Sequence, residues 1–198
     1  MGVALSDSQQ AQLLAFLALL NKWNKAYNLT AVRDEQVMVS RQMLDSLSIM
    51  PWVTTEHLLD VGAGGGLPGI PLAIVFPDKR FTLLDSNGKK TRFLNQCVLE
   101  LGLANVDVIH GRAEDCQPEK PFSQISSRAF TALENLVGWC GSLLANDGQF
   151  LAMKGLYPDD EVAALPEGWQ VESSHSLKVP GADGERHLLI VTRADQSR

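Results

Sequence analysis

The chain has 198 residues, 45% of them apolar and 20% charged, and a net charge of −6. That composition can bury a substantial core in one α/β unit. It contains no apolar run of membrane-spanning length. It also lacks the basic balance of a protein that binds nucleic acid through charge alone. Cys97, Cys116 and Cys140 are odd in number and widely spaced, and the four histidines form no close pair. Neither a disulfide framework nor a metal site is expected. No basic segment followed by an apolar leader opens the chain, so a cytoplasmic protein with reduced thiols is expected.

The charge is unevenly placed. Residues 1–100 hold nine basic and nine acidic side chains, whereas residues 101–198 hold eight and fourteen. The densest linear basic cluster is Lys79, Arg80, Lys89, Lys90 and Arg92. It reads equally as an RNA contact and as a solvated face.

From the start, Ser6-x-x-Gln9 resembles a capping box. Leu13, Phe16, Leu17, Leu20 and Tyr27 then recur at helical spacing, which predicts an amphipathic helix over 7–26. A polar loop follows. Asp34 is placed to cap a second helix carrying Val37, Met38, Arg41, Leu44, Leu47 and Ser48 toward Pro51. Residues 1–52 thus read as a helical extension that can cover a cleft, and 53–198 as the core of the same single domain. In that core, strands are expected near 58–61, 80–85, 105–109, 122–126 and 149–153. Helices are expected at 68–75, 87–101, 131–144 and 158–164. Such alternation means a parallel sheet with helices on both faces. Trp169–Leu177 and His187–Arg193 read as a closing antiparallel hairpin.

The stretch His57–Gly69 organises the chemistry. Leu58, Leu59 and Val61 form a buried strand, and Gly62, Gly64, Gly65 and Gly66 let a ligand approach the main chain. Pro68 suits the first helical turn. Two cofactors fit such a cradle. Gly64-x-Gly66-x-x-Gly69, with Asp85 21 residues after Gly64, satisfies the dinucleotide fingerprint. Asp60-x-Gly62-x-Gly64-x-Gly66 instead resembles the cofactor loop of class I S-adenosylmethionine methyltransferases. There the acid can face the cationic methionine end of the cofactor, directly or through water, whereas an acid beside a pyrophosphate is unhelpful. The closing hairpin also suits the class I fold, a mostly parallel Rossmann-like seven-stranded sheet whose last strand is antiparallel.

In an open α/β sheet the ligand lies beyond the carboxyl ends of the strands. Asp85 ends the second strand, where a carboxylate can accept both ribose hydroxyls. Gly111-Arg112-Ala113-Glu114-Asp115 follows the third and can reach an adenine edge. Ser126-Ser127-Arg128-Ala129 follows the fourth, and a lone Arg there suits a carboxylate or phosphate clamp. Met153-Lys154-Gly155 follows the fifth. The Asn/Asp-Pro-Pro-aromatic motif of exocyclic-amine methylation is missing, and no cysteine sits at a strand end for carbon methylation. A reaction needing no base fits best. Guanine N7 carries a lone pair and no proton, so catalysis there is positioning in line with the methyl group plus charge stabilisation.

Trp23-Asn24-Lys25-Ala26-Tyr27-Asn28-Leu29-Thr30, Leu44-Asp45-Ser46, Gly62-x-Gly-x-Gly-Leu-Pro-Gly-Ile-Pro71, Leu83-Leu-Asp-Ser86, Ser127-Arg-Ala129, Lys154-Gly155 and Gly184-Glu-Arg-His-Leu188 together resemble one family, in its order and over nearly the whole chain. It is the ribosomal small-subunit methyltransferase G family, also known as glucose-inhibited division protein B. The resemblance implies methyl transfer from S-adenosyl-L-methionine to N7 of one guanine in 16S rRNA. It places the cofactor on Gly62, Gly64, Gly66, Leu67, Asp85, Ala113, Glu114 and Arg128. Arg128, Lys154, Arg186 and His187 become the candidate catalytic or RNA-contact residues, with Asn28 and Arg41 as further ones. The small subunit or its assembly intermediate is the implied partner, with no membrane and no metal, and a monomer is expected. Gln42 stands where the family often has His, and Gly65 where it often has Pro. Other RNA or small-molecule acceptors, an NAD-binding protein and a non-catalytic cofactor-binding module are the competing readings.

Overall fold

The computed structural model describes residues 4–194. Helix α1 (Asp7–Tyr27) starts at the expected capping box, in which Ser6 and Gln9 satisfy each other's backbone N–H. The same Gln9 side chain donates to the carbonyls of Ile74 and Val75, so the local cap also pins α1 to a later helix. Asn28, at φ 50°, ends α1. Buried Asn24 then shapes the turn: its amide accepts from Thr30 N–H at 2.9 Å and donates to the Val32 carbonyl at 3.2 Å. The Trp23–Thr30 motif thus encodes a helix end and its exit loop.

Asp34 caps the next segment through the N–H groups of Gln36 and Val37. The segment is not one α-helix. It runs as α2 (Glu35–Met38), a π-helical stretch (Val39–Leu44) and α3 (Asp45–Leu47). A π-turn takes one extra residue and rotates the next turn of helix by about 100°. The expected apolar stripe is therefore displaced: Met43 is buried and Leu44 only half-buried, while Gln42, Asp45 and Ser46 face inward.

The core elements run in the order β1 (His57–Val61), α4 (Gly69–Val75), β2 (Arg80–Asp85), α5 (Gly88–Leu101), β3 (Val106–His110), β4 (Phe122–Arg128), α6 (Leu133–Cys140), β5 (Leu144–Lys154), α7 (Asp159–Ala163), β6 (Trp169–Ser176) and β7 (His187–Arg193). The expected helix over 131–144 is shorter, because Gly141–Leu143 tightens into a 3-10 turn. The strands form one sheet in the order β3-β2-β1-β4-β5-β7-β6. Strands β1 to β5 pair in parallel, and β7 enters antiparallel between β5 and β6. Chain order reverses between β1 and β4, which opens a crevice at their carboxyl ends.

Adjacent residues of each buried strand serve opposite faces, as the two-residue period demands. Leu58, Leu83 and Leu188 belong to the core cluster that takes in α1, α4 and α5; Leu59, Leu84 and Leu189 belong to the one that takes in α6. Phe16 and Trp23 of α1 lie 6.5 and 5.8 Å from the Phe93 ring of α5. The N-terminal extension is therefore part of the main core, fastened to the sheet face on which the glycine turn begins.

Candidate active site

Two clefts open at the carboxyl end of the sheet. The first encloses about 360 Å³, within the size range of small-molecule sites, and lies over β1, β2 and β3. Gly62, Asp85, Ala113 and Glu114 line it. Asp85 is 7% exposed. Its carboxylate accepts from Gly64 N–H at 2.8 Å and from Asn87 N–H at 2.8 Å. These bonds fix both oxygens and leave further lone pairs for hydroxyl donors. The helix cap at this position is Asn87, which accepts from Lys89 and Lys90 N–H. Ala113 and Glu114 come from the short turn after β3.

Gly62 is required by its surroundings. Its φ is 63°, and a Cβ there would lie 2.1 Å from the Phe130 ring. Phe130 and Trp139 meet edge to face at 5.9 Å and wall the cleft together with Lys90. Sequence reasoning missed Phe130 and Trp139, and read Lys90 only as part of a basic cluster. The available signal was Phe130 two residues beyond Arg128, and Trp139 off the apolar face that Leu133, Leu136, Val137 and Cys140 define in α6.

The glycine turn beyond Gly62 lines neither cleft: Gly64, Gly66 and Leu67 shape it. Gly64 orients Asp85, and Gly66, at φ 81°, packs against Ile70. Gly65 faces the extension, where a Cβ would stand 3.3 Å from Leu20.

Asp60 departs from its expected place. It is fully buried and lines no cleft; it accepts from Gly69 N–H at 3.0 Å and from the Ser126 hydroxyl at 2.9 Å. Burial pushes its pKa up to about 7, against the opposing pull of those two bonds. Asp60 joins β1, β4 and the start of α4.

The second cleft holds about 270 Å³ and collects Arg128, Lys154, Arg186 and His187 from the ends of β4, β5 and β7. Ala129, at φ 49°, borders both clefts. Arg128 lines this second cleft and not the first, so its expected cofactor contact is not reproduced by the cleft geometry. Its Nε lies 3.0 Å from Asp45, and it donates to the Arg41 carbonyl at 2.8 Å. Arg186 Nε lies 3.1 Å from the other oxygen of the same Asp45. Burial raises the Asp45 pKa, while both guanidiniums pull it back. Lys154 pairs with Glu161 at 2.7 Å and donates to the Thr131 carbonyl at 2.9 Å. Glu161 also accepts from Leu133 N–H, capping α6. His187 Nδ1 lies 2.8 Å from the Gly155 carbonyl, an acceptor only, so Nδ1 carries the proton and Nε2 is left as an acceptor on the neutral ring. Asp45 and Glu161, the carboxylates that hold these cations, were not assigned roles from sequence.

Asn28 and Arg41 do not line either cleft; Asn28 accepts from Arg33, and Arg41 contributes its carbonyl to Arg128. The linear basic cluster does not assemble. Arg80 begins β2 and pairs with Asp107, and Lys79 pairs with Glu56, whereas Lys90 lies beyond the opposite end of that strand.

Residues 9–189 match the family described as rRNA small subunit methyltransferase G. The chain is 87% identical over 198 residues to the ribosomal RNA small subunit methyltransferase G of Marinobacter nauticus, covering all of this chain and 92% of that one. It is 60% identical over 194 residues to the namesake of Pseudomonas aeruginosa, covering 98% and 91%. Among solved structures, an O-methyltransferase from Klebsiella pneumoniae described as putative matches with a TM-score of 0.61 and 15% identity, covering 90% of each chain. The O-methyltransferase TomG from Streptomyces achromogenes, solved in complex with SAM, matches with a TM-score of 0.58 and 15% identity, covering 98% and 92%. These distant likenesses carry the fold.

Proposed function

The chain belongs to the rRNA small subunit methyltransferase G family, and from that premise we propose how its two clefts divide the work. It is an S-adenosylmethionine-dependent methyltransferase of small-subunit rRNA, and guanine N7 of 16S rRNA is the acceptor that fits a reaction needing no general base. The first cleft takes the cofactor and the second takes the base. The observation that carries this division is that the two clefts abut at Ala129.

Bound in the first cleft, S-adenosylmethionine supplies a methyl group activated by its sulfonium centre. The residues present suit it. Asp85, its orientation held by Gly64 and Asn87, would accept from the ribose hydroxyls. The turn at Ala113 and Glu114 would hold the adenine, and Phe130 and Trp139 offer apolar faces for a flat ring. Gly62 lets the Phe130 ring close over the main chain.

N7 has no proton, so Arg128, Lys154, Arg186 and His187 act by holding and orienting the nucleotide rather than by proton removal. The base gains positive charge as it is alkylated. A cleft whose cations are already paired, Arg128 and Arg186 with Asp45 and Lys154 with Glu161, repels that ring less than free cations would. N7 is hidden in the deep major groove of A-form RNA, so the target guanine is unpaired or flipped out when it enters. The protein works as a single unit, with residues 1–52 completing the 53–198 core. It acts as a metal-free monomer in the cytoplasm, on the small subunit or its assembly intermediate.

The test is transfer of labelled methyl to small subunits lacking the modification, followed by N7-specific strand cleavage. One labelled guanine in 16S rRNA is expected. Label on another atom would move the acceptor, and no label despite cofactor binding would reduce the protein to a binding module.

A further inference from the structure

The cleft assigned to the base is built around a residue of the N-terminal extension. Arg128 ends β4 and Arg186 immediately precedes β7, so no shared element sets their spacing. Asp45 stands between them, one carboxylate oxygen 3.0 Å from Arg128 Nε and the other 3.1 Å from Arg186 Nε. Two guanidiniums around one cleft repel each other, and a carboxylate between them is what lets both be held at once. Each arginine has a second anchor. Arg128 Nη2 donates to the Arg41 carbonyl, and Arg186 Nη1 donates to the carbonyls of Asp183 and Gly184. Among the described residues the guanidinium hydrogen bonds to protein carbonyls come from Arg128 Nη2 and Arg186 Nη1, which leaves Arg128 Nη1 and Arg186 Nη2 without one, and both side chains line the cleft. The π-helical stretch Val39–Leu44 supplies the Arg41 carbonyl and rotates Asp45, 5% exposed, inward toward the sheet.

We propose that Asp45 is a positioning residue for methyl transfer, splinting Arg128 and Arg186 into a two-pronged fork for a phosphate of the target nucleotide. Both arginines engage Asp45 through Nε, which is the arrangement that keeps a terminal nitrogen of each for the substrate. Phosphate is the matching chemistry, because two guanidinium donors converge best on an anion with several acceptor oxygens. The fork fixes the backbone of the nucleotide, which aims N7 without any donor occupying N7 itself. The inference rests on the assignment of the second cleft to the acceptor.

The experiment compares wild type with Asp45→Asn, Arg186→Gln and the double variant on small subunits lacking the modification. Cofactor affinity is measured separately by calorimetry. With Asp45→Asn, kcat/KM for the subunit is expected to fall by roughly 30-fold or more, as when a buried charge pair is broken. Cofactor affinity should stay within about twofold, and the change should add little in the Arg186→Gln background because both act through one fork. Unchanged kcat/KM in Asp45→Asn overturns the proposal. So do losses that multiply independently in the double variant, and so does a matching loss of cofactor affinity, which marks a merely structural residue. If Asp45→Asn does not fold, Arg186→Lys decides: it keeps a charge for Asp45 but no second nitrogen, so a comparable fall with cofactor affinity intact supports the fork, and wild-type kcat/KM overturns it. A wild-type protein that leaves the subunits unlabelled refutes the acceptor assignment itself, and the fork falls with it.

Discussion

Asp60 and Asp85 are both acids at strand ends beside the glycine turn, and their surroundings give them opposite tasks. Asp85 lines the first cleft, the one proposed for the cofactor, with two backbone N–H donors fixing it. On the proposed division of the clefts, replacing it with Ala should weaken cofactor binding by about 1–3 kcal/mol through lost charge-assisted bonds; titration calorimetry checks this, and unchanged affinity would take Asp85 out of the site. Asp60 is sealed in the core with a pKa of about 7. Its folded pKa lies above its unfolded value near 4. The native state therefore binds more protons than the unfolded state between those values, and unfolding free energy falls as pH rises from about 4 to about 7. In Asp60→Asn the amide oxygen can still accept from Gly69 while the Ser126 hydroxyl turns to accept from the amide NH₂. The variant should lose this decline, so that wild type minus variant stability drops by a few kcal/mol across that interval. Urea unfolding at pH 5 and pH 8 measures it. A difference that does not change with pH would mean that Asp60 is ionised throughout. Both acids were visible in the sequence, but which of them turns inward was not. That depends on Gly69 N–H and Ser126 converging on one side chain from another helix and another strand.

At the level of elements, local signals were reliable where one segment satisfies its own backbone, and weaker where a neighbour decides. The Ser6–Gln9 capping box and the Asp34 cap form as their spacing implied. The β-α alternation was legible because buried strands and helix faces have distinct periods. The π-helical stretch was not legible: Val37, Met38, Arg41, Leu44 and Leu47 satisfy an α-helical stripe, yet Gln42 and Asp45 turn inward to Thr30 and to the two arginines. Gln9 shows the same limit. Its cap was expected from spacing, but its bonds to the end of α4 need the tertiary fold. Gln9→Ala should therefore cost more than an isolated capping residue, about 1–2 kcal/mol. The expected signature is a lower urea midpoint with an unchanged slope. A loss below about 0.5 kcal/mol would mean that water replaces those bonds fully. Glu161 offers a functional counterpart. It caps α6 and holds Lys154, so Glu161→Ala should lower both stability and methyl transfer while cofactor affinity holds. Thermal unfolding together with steady-state kinetics separates the two effects, and full activity would show that Lys154 needs no orientation.

For the whole molecule, the net charge of −6 has to be reconciled with an RNA substrate. The basic residues dense in sequence are dispersed over the two ends of the sheet, and three of the four candidate groups in the acceptor cleft, Arg128, Lys154 and Arg186, already have carboxylate partners. Long-range attraction to the phosphate backbone is correspondingly small, so recognition has to come from shape and from contacts around one exposed nucleotide. This makes a quantitative claim about salt. Each neutralised phosphate of single-stranded RNA contributes about −0.7 to the slope of log K against log salt. A cleft engaging two or three phosphates gives a slope of roughly −1.5 to −2, far shallower than the value near −10 of a strongly electrostatic nucleic-acid binder. Binding to unmodified small subunits over a range of potassium chloride measures the slope directly. A value steeper than about −4 would require a phosphate-binding surface well outside the two clefts. A shallow slope together with weak binding to protein-free 16S rRNA would place the missing affinity in the folded subunit, where RNA shape and ribosomal proteins supply what the charge of this chain does not.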